Sequence, residues 1–291
     1  MASLKEVRNR IVSVSSTQQI TSAMKMVSAA KLRRAQDAVT QMRPYANKMR
    51  EILENLSGSL SSAEGAFSKQ REVKNVLLVV ITSNRGLCGG FNANVVKRAM
   101  RLAKEDFATA KIHYLCIGKK GSDVFKKTTY TPAFPDLTPN SIFDHLTYVN
   151  VAPIAERVMN AFAEGTYDKV VLIYNQFKNA AVQLTQAEQF LPVVPAKSEG
   201  KKGLTADYIF EPSREEIVLD LIPRSLKTQL YKATLDSVAS EHGARMTAMH
   251  KATDNAQELI RSLKISYNKA RQAAITNEIL EIVGGAEALA G

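Results

Sequence analysis

The sequence predicts an α/β fold in which an α/β domain is inserted between two long helices that pair as an antiparallel coiled coil. Three observations support this prediction. Apolar residues follow a heptad spacing at both ends of the 291-residue chain, strands alternate with helices between these ends, and Ser-x-x-Glu capping motifs precede both heptad regions. The expected regions are 1–58 for the first helix, 73–210 for the α/β domain and 213–285 for the second helix.

The N-terminal region places apolar residues at alternating steps of three and four, which keeps one stripe of a helix facing one partner. These residues are Leu4, Val7, Ile11, Val14, Leu32, Ala35, Val39, Met42, Ala46, Met49, Leu53 and Leu56. The intervening heptad positions are polar, namely Gln18, Thr21, Lys25 and Ser28. The apolar stripe is expected to shift there by one residue, to Ile20, Met24 and Val27. A helix of about fifty residues would be roughly 75 Å long, too long to be buried in one small domain.

The C-terminal region repeats the pattern at Leu235, Val238, Met249, Ala252, Ala256, Leu259, Leu263, Ala270, Ala273 and Leu280. Its polar interruptions are His242, Arg245, Ser266 and Asn277. Such interruptions weaken a two-stranded seam. They predict a surface that contacts a changing set of partners, with a relaxed coiled coil of low specificity as the alternative.

Local signals set the expected ends of the two helices. Capping boxes at 3–6 and 213–216 predict where they begin. Gly284-Gly285 predicts where the second helix ends. Pro44 and Pro223 lie inside the helical spans, and each is expected to kink or break its helix. The second helix is therefore expected to be regular only after Pro223.

The middle of the chain predicts a Rossmann-like α/β domain. Lys74–Thr82 is a continuous β-branched run, typical of a strand buried on both faces. Further strands are expected at 111–118, 169–175, 182–184 and 189–194, helices at 94–107, 122–127 and 142–164, and a loop at 197–205. Because strands alternate with helices, the sheet should be largely parallel.

A glycine-containing loop, Ser83–Asn92, follows the first predicted strand and precedes a helix. In that setting glycines allow a backbone to bind phosphate. The loop matches neither GxGxxG nor GxxxxGK[ST]. We interpret it as a fold element in which Gly86, Gly89 and Gly90 allow positive φ and close strand–helix packing. An anion or nucleotide site is the alternative.

The charge of +11 is unevenly distributed along the chain. Residues 1–56 hold ten Lys/Arg against four Asp/Glu, residues 57–212 hold nineteen against fourteen, and residues 213–291 are balanced. A basic excess indicates an acidic protein surface or a nucleic acid as partner. No nucleic-acid-binding motif accompanies it, so nucleic acid is not expected.

Few residues suggest chemistry. Cys88 and Cys116 lack the spacing of a disulfide framework or a zinc site, and buried thiols are expected. The histidines are too scattered for a metal site, and no nucleophile triad or carboxylate pair stands out. The longest uncharged apolar run, 76–81, is too short to cross a bilayer. We therefore expect neither a catalytic site nor a cofactor or metal.

Three sequence blocks carry a family resemblance: 20–36, 85–90, and 244–255 continuing through 267–278. With them, essentially the whole chain resembles the γ-subunit family of bacterial-type F-type ATP synthases. The resemblance implies a central-stalk rotor subunit whose paired helices thread a ring of three α and three β subunits. It implies that the α/β domain lies below, with the ε subunit and the membrane c-ring, at the cytoplasmic face of a bacterial cell membrane. Rotation would then couple proton flow to ATP synthesis or hydrolysis on the ring, without an active site in this chain.

The resemblance also implies contact and coupling residues. By this resemblance, Met24 and the neighbouring Lys25 fall near an acidic loop of a β subunit. A second group of residues falls at catch-type loops of the ring or at positions linked to coupling. That group consists of Arg245, Arg271, Gln272, Thr276, Glu278 and Glu281.

The sequence departs from the family pattern in two ways. Asn84 stands where an Asp is common in the family, and the paired-cysteine insertion of chloroplast members is absent. We therefore expect a non-chloroplast type. The heptad that begins at Leu4 leaves no presequence, which favours a bacterium. Two other functions remain open at this point: a nucleotide-binding α/β enzyme with a coiled-coil arm, and a basic nucleic-acid adaptor.

Overall fold

The computed structural model describes residues 4–57, 66–137, 139–193 and 214–290, with side chains described at 4–46, 48–49, 66–137, 139–193 and 220–286. Its elements in chain order are α1 (Leu4–Ser57), β1 (Asn75–Ile81), α2 (Phe91–Glu105), β2 (Lys111–Ile117), α3 (Lys119–Phe125), β3 (Thr131–Pro132), a 3₁₀ helix (Pro139–Phe143), α4 (Tyr148–Ala163), β4 (Lys169–Phe177), β5 (Gln183–Leu191) and α5 (Arg214–Ala290). No helix in the described ranges combines the length and apolar character needed to cross a membrane.

The sheet has the strand order β3-β2-β1-β4-β5. The first four strands are parallel, and β5 pairs antiparallel with β4. Val79 at the centre of β1 is in register with Leu115 of β2 and Leu172 of β4. The predicted α/β class with a largely parallel sheet is confirmed.

Strand β1 is buried on both faces because helices cover both sides of the sheet. Leu77, Val79 and Ile81 pack with α4 and α5, whereas Val76, Leu78 and Val80 pack with α2 and α3. Side chains alternate between the two faces of a strand, so a run of β-branched and leucine residues supplies both cores at once. Each fully buried side chain of this kind contributes about 1.5–3 kcal/mol.

Several predicted boundaries differ from the structure. The two stretches predicted at 182–184 and 189–194 belong to one strand, β5, which begins at Gln183 and ends at Leu191. Strand β3 was not predicted because it has only two residues. Helix α3 begins at Lys119, three residues before its predicted start. Helix α4 begins at Tyr148, because a 3₁₀ helix and an extended Thr147 occupy the preceding residues.

The predicted breaks at the two prolines and the predicted end of the second helix are wrong, whereas a kink at either proline stays a prediction. Helices α1 and α5 continue through Pro44 and Pro223. A proline inside a helix costs about 3 kcal/mol, which packing along helices of 54 and 77 residues offsets. Gly284-Gly285 does not end α5, which continues to Ala290. The capping residues Ser3 and Ser213, and the expected loop at 197–205, lie outside the described residues.

The apolar stripe of α1 does not shift in the way that the sequence suggested. Gln18, Thr21, Lys25 and Ser28 are half-buried or buried, so the polar residues remain in the stripe. Ile20 is 60% exposed and Val27 is 57% exposed. The steps of three and four therefore continue without interruption along α1. Of the three residues expected to carry the shifted stripe, Ile20 and Val27 face outward, whereas Met24 is half-buried.

In the C-terminal part of α5 the half-buried positions also follow steps of three and four. They are Ile260, Leu263, Tyr267, Ala270 and Ala274. The predicted seam positions Leu259, Ala273 and Leu280 are exposed, so the prediction was off by one residue at Leu259 and Ala273. The predicted stripe omitted Tyr267, an amphipathic residue that can half-bury its ring.

The chain forms two compact units, one from residues 1–28 and 246–291 and the other from residues 29–245. In the first unit α1 and α5 run antiparallel. The Thr253 hydroxyl donates a hydrogen bond to the Thr21 hydroxyl at 2.9 Å, and Lys25 Nζ lies 3.4 Å from His250 Nδ1. In the second unit the sheet and its helices surround the two cores described above.

Asp236 on α5 is a buried carboxyl group in the second unit. It is 1% exposed, and within the described residues its Oδ1 atom has no hydrogen-bond partner. The backbone N–H of Phe177 donates a hydrogen bond to this carboxyl. Burial raises the pKa of Asp236, with Glu188 adding to the rise and Lys232 and Arg43 opposing it. An unpaired, buried carboxylate is costly, so the protein favours the neutral acid.

We predict that Asp236→Asn stabilises the chain increasingly as the pH rises. Unfolded aspartate has a pKa of about 3.9, so below that value both states are protonated and Asp236 adds no penalty. Because its folded-state pKa is raised, the penalty grows as the pH rises from there towards the folded-state pKa, and is constant above it. At pH 8 the gain should be about 1–2 kcal/mol, measured by urea unfolding between pH 3.5 and 8.

Asp123→Asn is the matched control, since Asp123 is exposed on α3 of the same unit. It should leave the pH dependence unchanged. Parallel stability curves for wild type and Asp236→Asn would show that Asp236 carries no pH-dependent penalty.

Candidate functional site

The loop between β1 and α2 is held by its own polar groups. Ser83 Oγ donates a hydrogen bond to the Arg85 carbonyl at 2.6 Å, and the Ser83 N–H donates to Asn92 Oδ1 at 3.0 Å. Asn84 donates to the Asn140 carbonyl and accepts from the Lys119 N–H. Because these groups are engaged with one another, the geometry favours a fold element over an anion site.

Backbone conformation in this loop differs from the prediction. Gly89 adopts a positive φ of 58°, but Gly86 does not, and Gly90 has a φ of −78°. The second positive φ in the loop belongs to Leu87, at 61°, and Leu87 is 63% exposed. A non-glycine residue in this region is strained, so the surrounding contacts must hold it.

Arg245 on α5 supplies such a contact from inside the protein. Its side chain is only 8% exposed. Nη1 donates to Glu241 Oε1 at 2.6 Å, Nη2 donates to the carbonyls of Arg85 and Gly86 at 3.1 Å each, and Nε lies 3.3 Å from the Gly86 carbonyl. All three guanidinium nitrogens therefore bind the loop or the neighbouring turn of α5, which uses the fixed fork geometry of arginine.

Two ionisable groups beside Arg245 have shifted pKa values. Burial raises the pKa of Glu241, and Arg245 opposes that rise. Burial, with Arg245 and Lys31 adding to the effect, lowers the pKa of His242 to about 4. His242 is therefore neutral near pH 7 and does not compete with Arg245 for Glu241.

The same end of α5 makes two further contacts with loops and strand ends of the sheet. Ser240 Oγ donates to the Asn175 carbonyl at 2.9 Å. A Cβ atom on Gly243 would lie 3.2 Å from the Ala180 backbone, so α5 approaches that backbone closely. Ligands of open α/β sheets bind beyond the carboxyl ends of parallel strands. In this protein α5 itself contacts the segments that follow β1 and β4 there.

Both cysteines are buried, as predicted. Burial raises the pKa of the Cys116 thiol to about 12. Cys88 Sγ lies 3.2 Å from Asn92 Nδ2, within the network that holds the loop. Among the described residues there is no group of three or more His, Cys, Asp or Glu side chains that could hold a metal ion.

The residues predicted to contact partners occupy different environments. Met24 and Lys25 are half-buried on α1. The predicted contact residues in the C-terminal part of α5 are exposed, namely Arg271, Gln272, Thr276, Glu278 and Glu281. Arg245 is the exception, because it is buried against the loop of its own unit. Glu241 and Arg245 stand four apart on a helix, a spacing that predicts an ion pair, but nothing local to the sequence links them to Gly86.

The helices of the first unit expose large apolar side chains. On α1 these are Val12, Ile20, Met26 and Val27, and on α5 they are Leu259, Ile265, Ile275, Ile279, Leu280, Ile282 and Val283. Exposed apolar surface on this scale is typical of a protein that binds a partner. The fold and the exposed side chains together therefore define a class of protein that binds a partner through the surfaces of two long helices.

Comparison with known proteins identifies the family. A family model described as ATP synthase matches residues 3–289. The ATP synthase gamma chain of Flavobacterium johnsoniae is 65% identical over 292 residues, covering all of both chains, and that of Cytophaga hutchinsonii is 55% identical over 296 residues, covering 99% of both. The chain belongs to the ATP synthase γ-chain family, whose members are non-catalytic subunits of the ATP synthase complex.

Solved structures agree with this assignment. A chain from the central stalk and c-ring structure of the Tetrahymena thermophila mitochondrial ATP synthase is 28% identical, with a TM-score of 0.55 over 80% of this chain and 99% of that chain. A chain from the Euglena gracilis mitochondrial ATP synthase rotor has a TM-score of 0.64 at 21% identity over 94% of this chain and 98% of that chain. The latter supports the fold alone.

We predict that Arg245→Met destabilises the α/β unit by about 3–5 kcal/mol, because it leaves Glu241 buried without its partner. Adding Glu241→Gln to Arg245→Met should recover much of this loss, since the remaining buried group is then neutral. Arg261→Met, at an exposed arginine on the same helix, should change stability little. Urea unfolding at pH 7 measures all three. Equal stability of Arg245→Met and Arg261→Met would contradict the prediction.

Proposed function

We propose that the chain is the central-stalk rotor subunit of the F1 sector of a proton-translocating ATP synthase. The observation that carries this proposal is full-length identity of 65% to a protein named ATP synthase gamma chain. The 28% identical chain from a structure titled as central stalk and c-ring supports the same role. In this role the chain couples ion flow through the membrane sector to ATP synthesis or hydrolysis on the α and β subunits.

The proposed mechanism is a coupling free energy between the helices and their surroundings. The paired helices of the first unit sit within the ring of three α and three β subunits, and each β subunit meets a different side of the pair. If one orientation of the helices favours nucleotide binding at one site, occupancy of that site must favour the orientation equally. If the contact free energies of two sides of the helix pair differ by about 1.4 kcal/mol, the nucleotide affinities of the two catalytic sites differ tenfold.

The α/β unit then contacts the ε subunit and the membrane c-ring, and the chain is peripheral to the membrane through the complex. We place it on the cytoplasmic face of a bacterial cell membrane. The bacterial source of the curated relatives supports this placement. No cofactor or metal is assigned to this chain.

The proposed contact residues are the positions that the family resemblance implies, and all of them except Arg245 are exposed or half-buried. Met24 and Lys25 meet an acidic loop of a β subunit. The exposed α5 residues Arg271, Gln272, Thr276, Glu278 and Glu281 meet catch-type loops of the ring or affect coupling. Arg245 acts on coupling through its own loop, because its guanidinium is engaged with Glu241 and with the Arg85 and Gly86 carbonyls.

Reconstitution tests the proposal directly. The isolated chain should have no ATPase activity, and calorimetry should detect no ATP binding to it. Added to α and β subunits, it should produce coordinated turnover that depends on rotor orientation. If α and β behave identically with and without the chain, the rotor proposal fails. ATP binding by the isolated chain would favour a nucleotide-binding enzyme instead.

Met24→Lys tests the assignment of the acidic contact. The variant adds a cation beside the proposed acidic loop, and a new ion pair of about 1 kcal/mol changes the relative occupancy of rotor positions about fivefold. Proton pumping per ATP hydrolysed should fall, whereas assembly with α and β should be retained. Met26→Lys adds the same charge two residues away at a more exposed position and should have a smaller effect. Equal proton pumping per ATP in wild type and Met24→Lys would contradict the placement.

A further inference from the structure

The outer surface of α2 and α3 is strongly basic. Both helices pack on the same side of the sheet, through Val95 and Ala99 of α2 and Phe125 of α3. Their opposite sides are exposed. We call this surface the basic face, formed by Lys97, Arg98, Arg101, Lys104, Lys119, Lys120, Lys126 and Lys127. The acidic residues of the two helices and their ends are Glu105, Asp106 and Asp123.

The cations of the basic face are not neutralised within the described part of the chain. Only Arg101 forms an ion pair there, with Glu105 at 3.8 Å. The other side of the sheet differs, because Arg157 pairs with Asp136, and Lys227 pairs with Glu156 of α4. Unlike these two cations, seven of the eight on the basic face have no ion pair within the described residues.

The residue types on the basic face favour a diffuse anionic partner over a specific protein interface. Six of the eight cations are lysines, and Val124 is the only large apolar side chain exposed on α2 or α3. Protein interfaces are depleted in lysine and depend on buried aromatic or apolar anchors. No aromatic side chain is exposed on these helices for stacking with bases. Lysine-rich surfaces without anchors are typical of attraction to anionic phospholipids.

We propose that the basic face attracts the α/β unit to anionic phospholipid headgroups. The inference rests on the proposed function, which places this unit beside the membrane c-ring. Attraction between many surface cations and a layer of mobile anions does not depend on which cation lies next to which headgroup. A rotating subunit therefore keeps the attraction in every orientation, without the energy barriers that specific contacts would create.

The test is co-sedimentation of the purified full chain with vesicles. Phosphatidylcholine vesicles with about 30% phosphatidylglycerol are compared with pure phosphatidylcholine at about 0.15 M salt, where surface charges act over about 8 Å. The wild-type chain should bind the anionic vesicles and not the neutral ones. Lys97→Glu/Arg98→Glu/Lys104→Glu should weaken binding at least about tenfold, with an unchanged circular dichroism spectrum.

The matched control is Lys251→Glu/Arg261→Glu/Lys264→Glu. These residues are exposed on α5, outside the α/β unit, and the variant changes the net charge by the same amount. It should retain vesicle binding. Equal losses in the two variants would show that net charge alone matters and would overturn the assignment to the basic face. Absence of wild-type binding, equal binding to neutral vesicles, or tighter binding to RNA than to anionic vesicles would also overturn it.

A second readout separates this inference from the proposed function. The Lys97→Glu/Arg98→Glu/Lys104→Glu chain should still support coordinated turnover when it is reconstituted with α and β subunits. Loss of vesicle binding with retained turnover supports the basic face as the lipid-binding surface. A wild-type chain that supports turnover but binds no vesicles overturns the inference and leaves the rotor proposal standing.

Discussion

The buried Arg245 side chain holds α5 and the loop after β1 together, and the arrangement of the α/β unit depends on it. A buried guanidinium loses its hydration and is tolerated only when its hydrogen bonds are replaced. Arg245 replaces them with Glu241 and with two backbone carbonyls. Ser240 donates a hydrogen bond to the Asn175 carbonyl near the end of β4, and Gly243 lies close to the Ala180 backbone that follows β4. Helix α5 therefore contacts the region that binds ligands in other open α/β sheets, which is a physical reason to assign this domain an anchoring role.

Residues 18–28 of α1 depart from the usual amphipathic arrangement. Thr21, Lys25 and Ser28 of α1 are in the stripe that faces inward, and Ile20 and Val27 face outward. The Thr21–Thr253 hydrogen bond satisfies polar groups in the seam, but such a bond adds only about 0.5–1.5 kcal/mol. Burying the exposed isoleucine and valine would contribute about 1.5–3 kcal/mol each. That free energy becomes available when a partner covers the outer surface, which agrees with a helix pair that functions inside an assembly.

Periodicity predicted the fold well where burial alone decides the structure. The β-branched run at β1 is buried on both faces, as predicted, and the alternation of strands and helices correctly predicted a largely parallel sheet. Periodicity did not predict the exposure of Ile20 and Val27. These residues were expected in the buried stripe because they are apolar, but an apolar side chain on a helix can also face outward to meet a partner. Pro44, Pro223 and Gly284-Gly285 were assumed to end or break helices, but the propensity of one or two residues is small against the packing of a long helix. The Arg245–Gly86 contact could not be predicted, since it joins positions 159 residues apart and its acceptor is a backbone carbonyl.

Under the proposed function, these features divide between two tasks that require opposite properties. Coupling requires unequal contacts, because a helix pair that presented the same chemistry on all sides would bias no catalytic site over another. Exposed apolar residues on α1 and the charged residues of α5 provide unequal sides. Attachment near the membrane requires contacts that do not change with orientation, and a lysine-rich face without apolar anchors provides these. The buried charge pair at Arg245 binds the loop after β1 from α5. Its effect is to keep the strained Leu87 loop and α5 fixed to each other, because a load that separated them would have to expose Glu241 and two backbone carbonyls together.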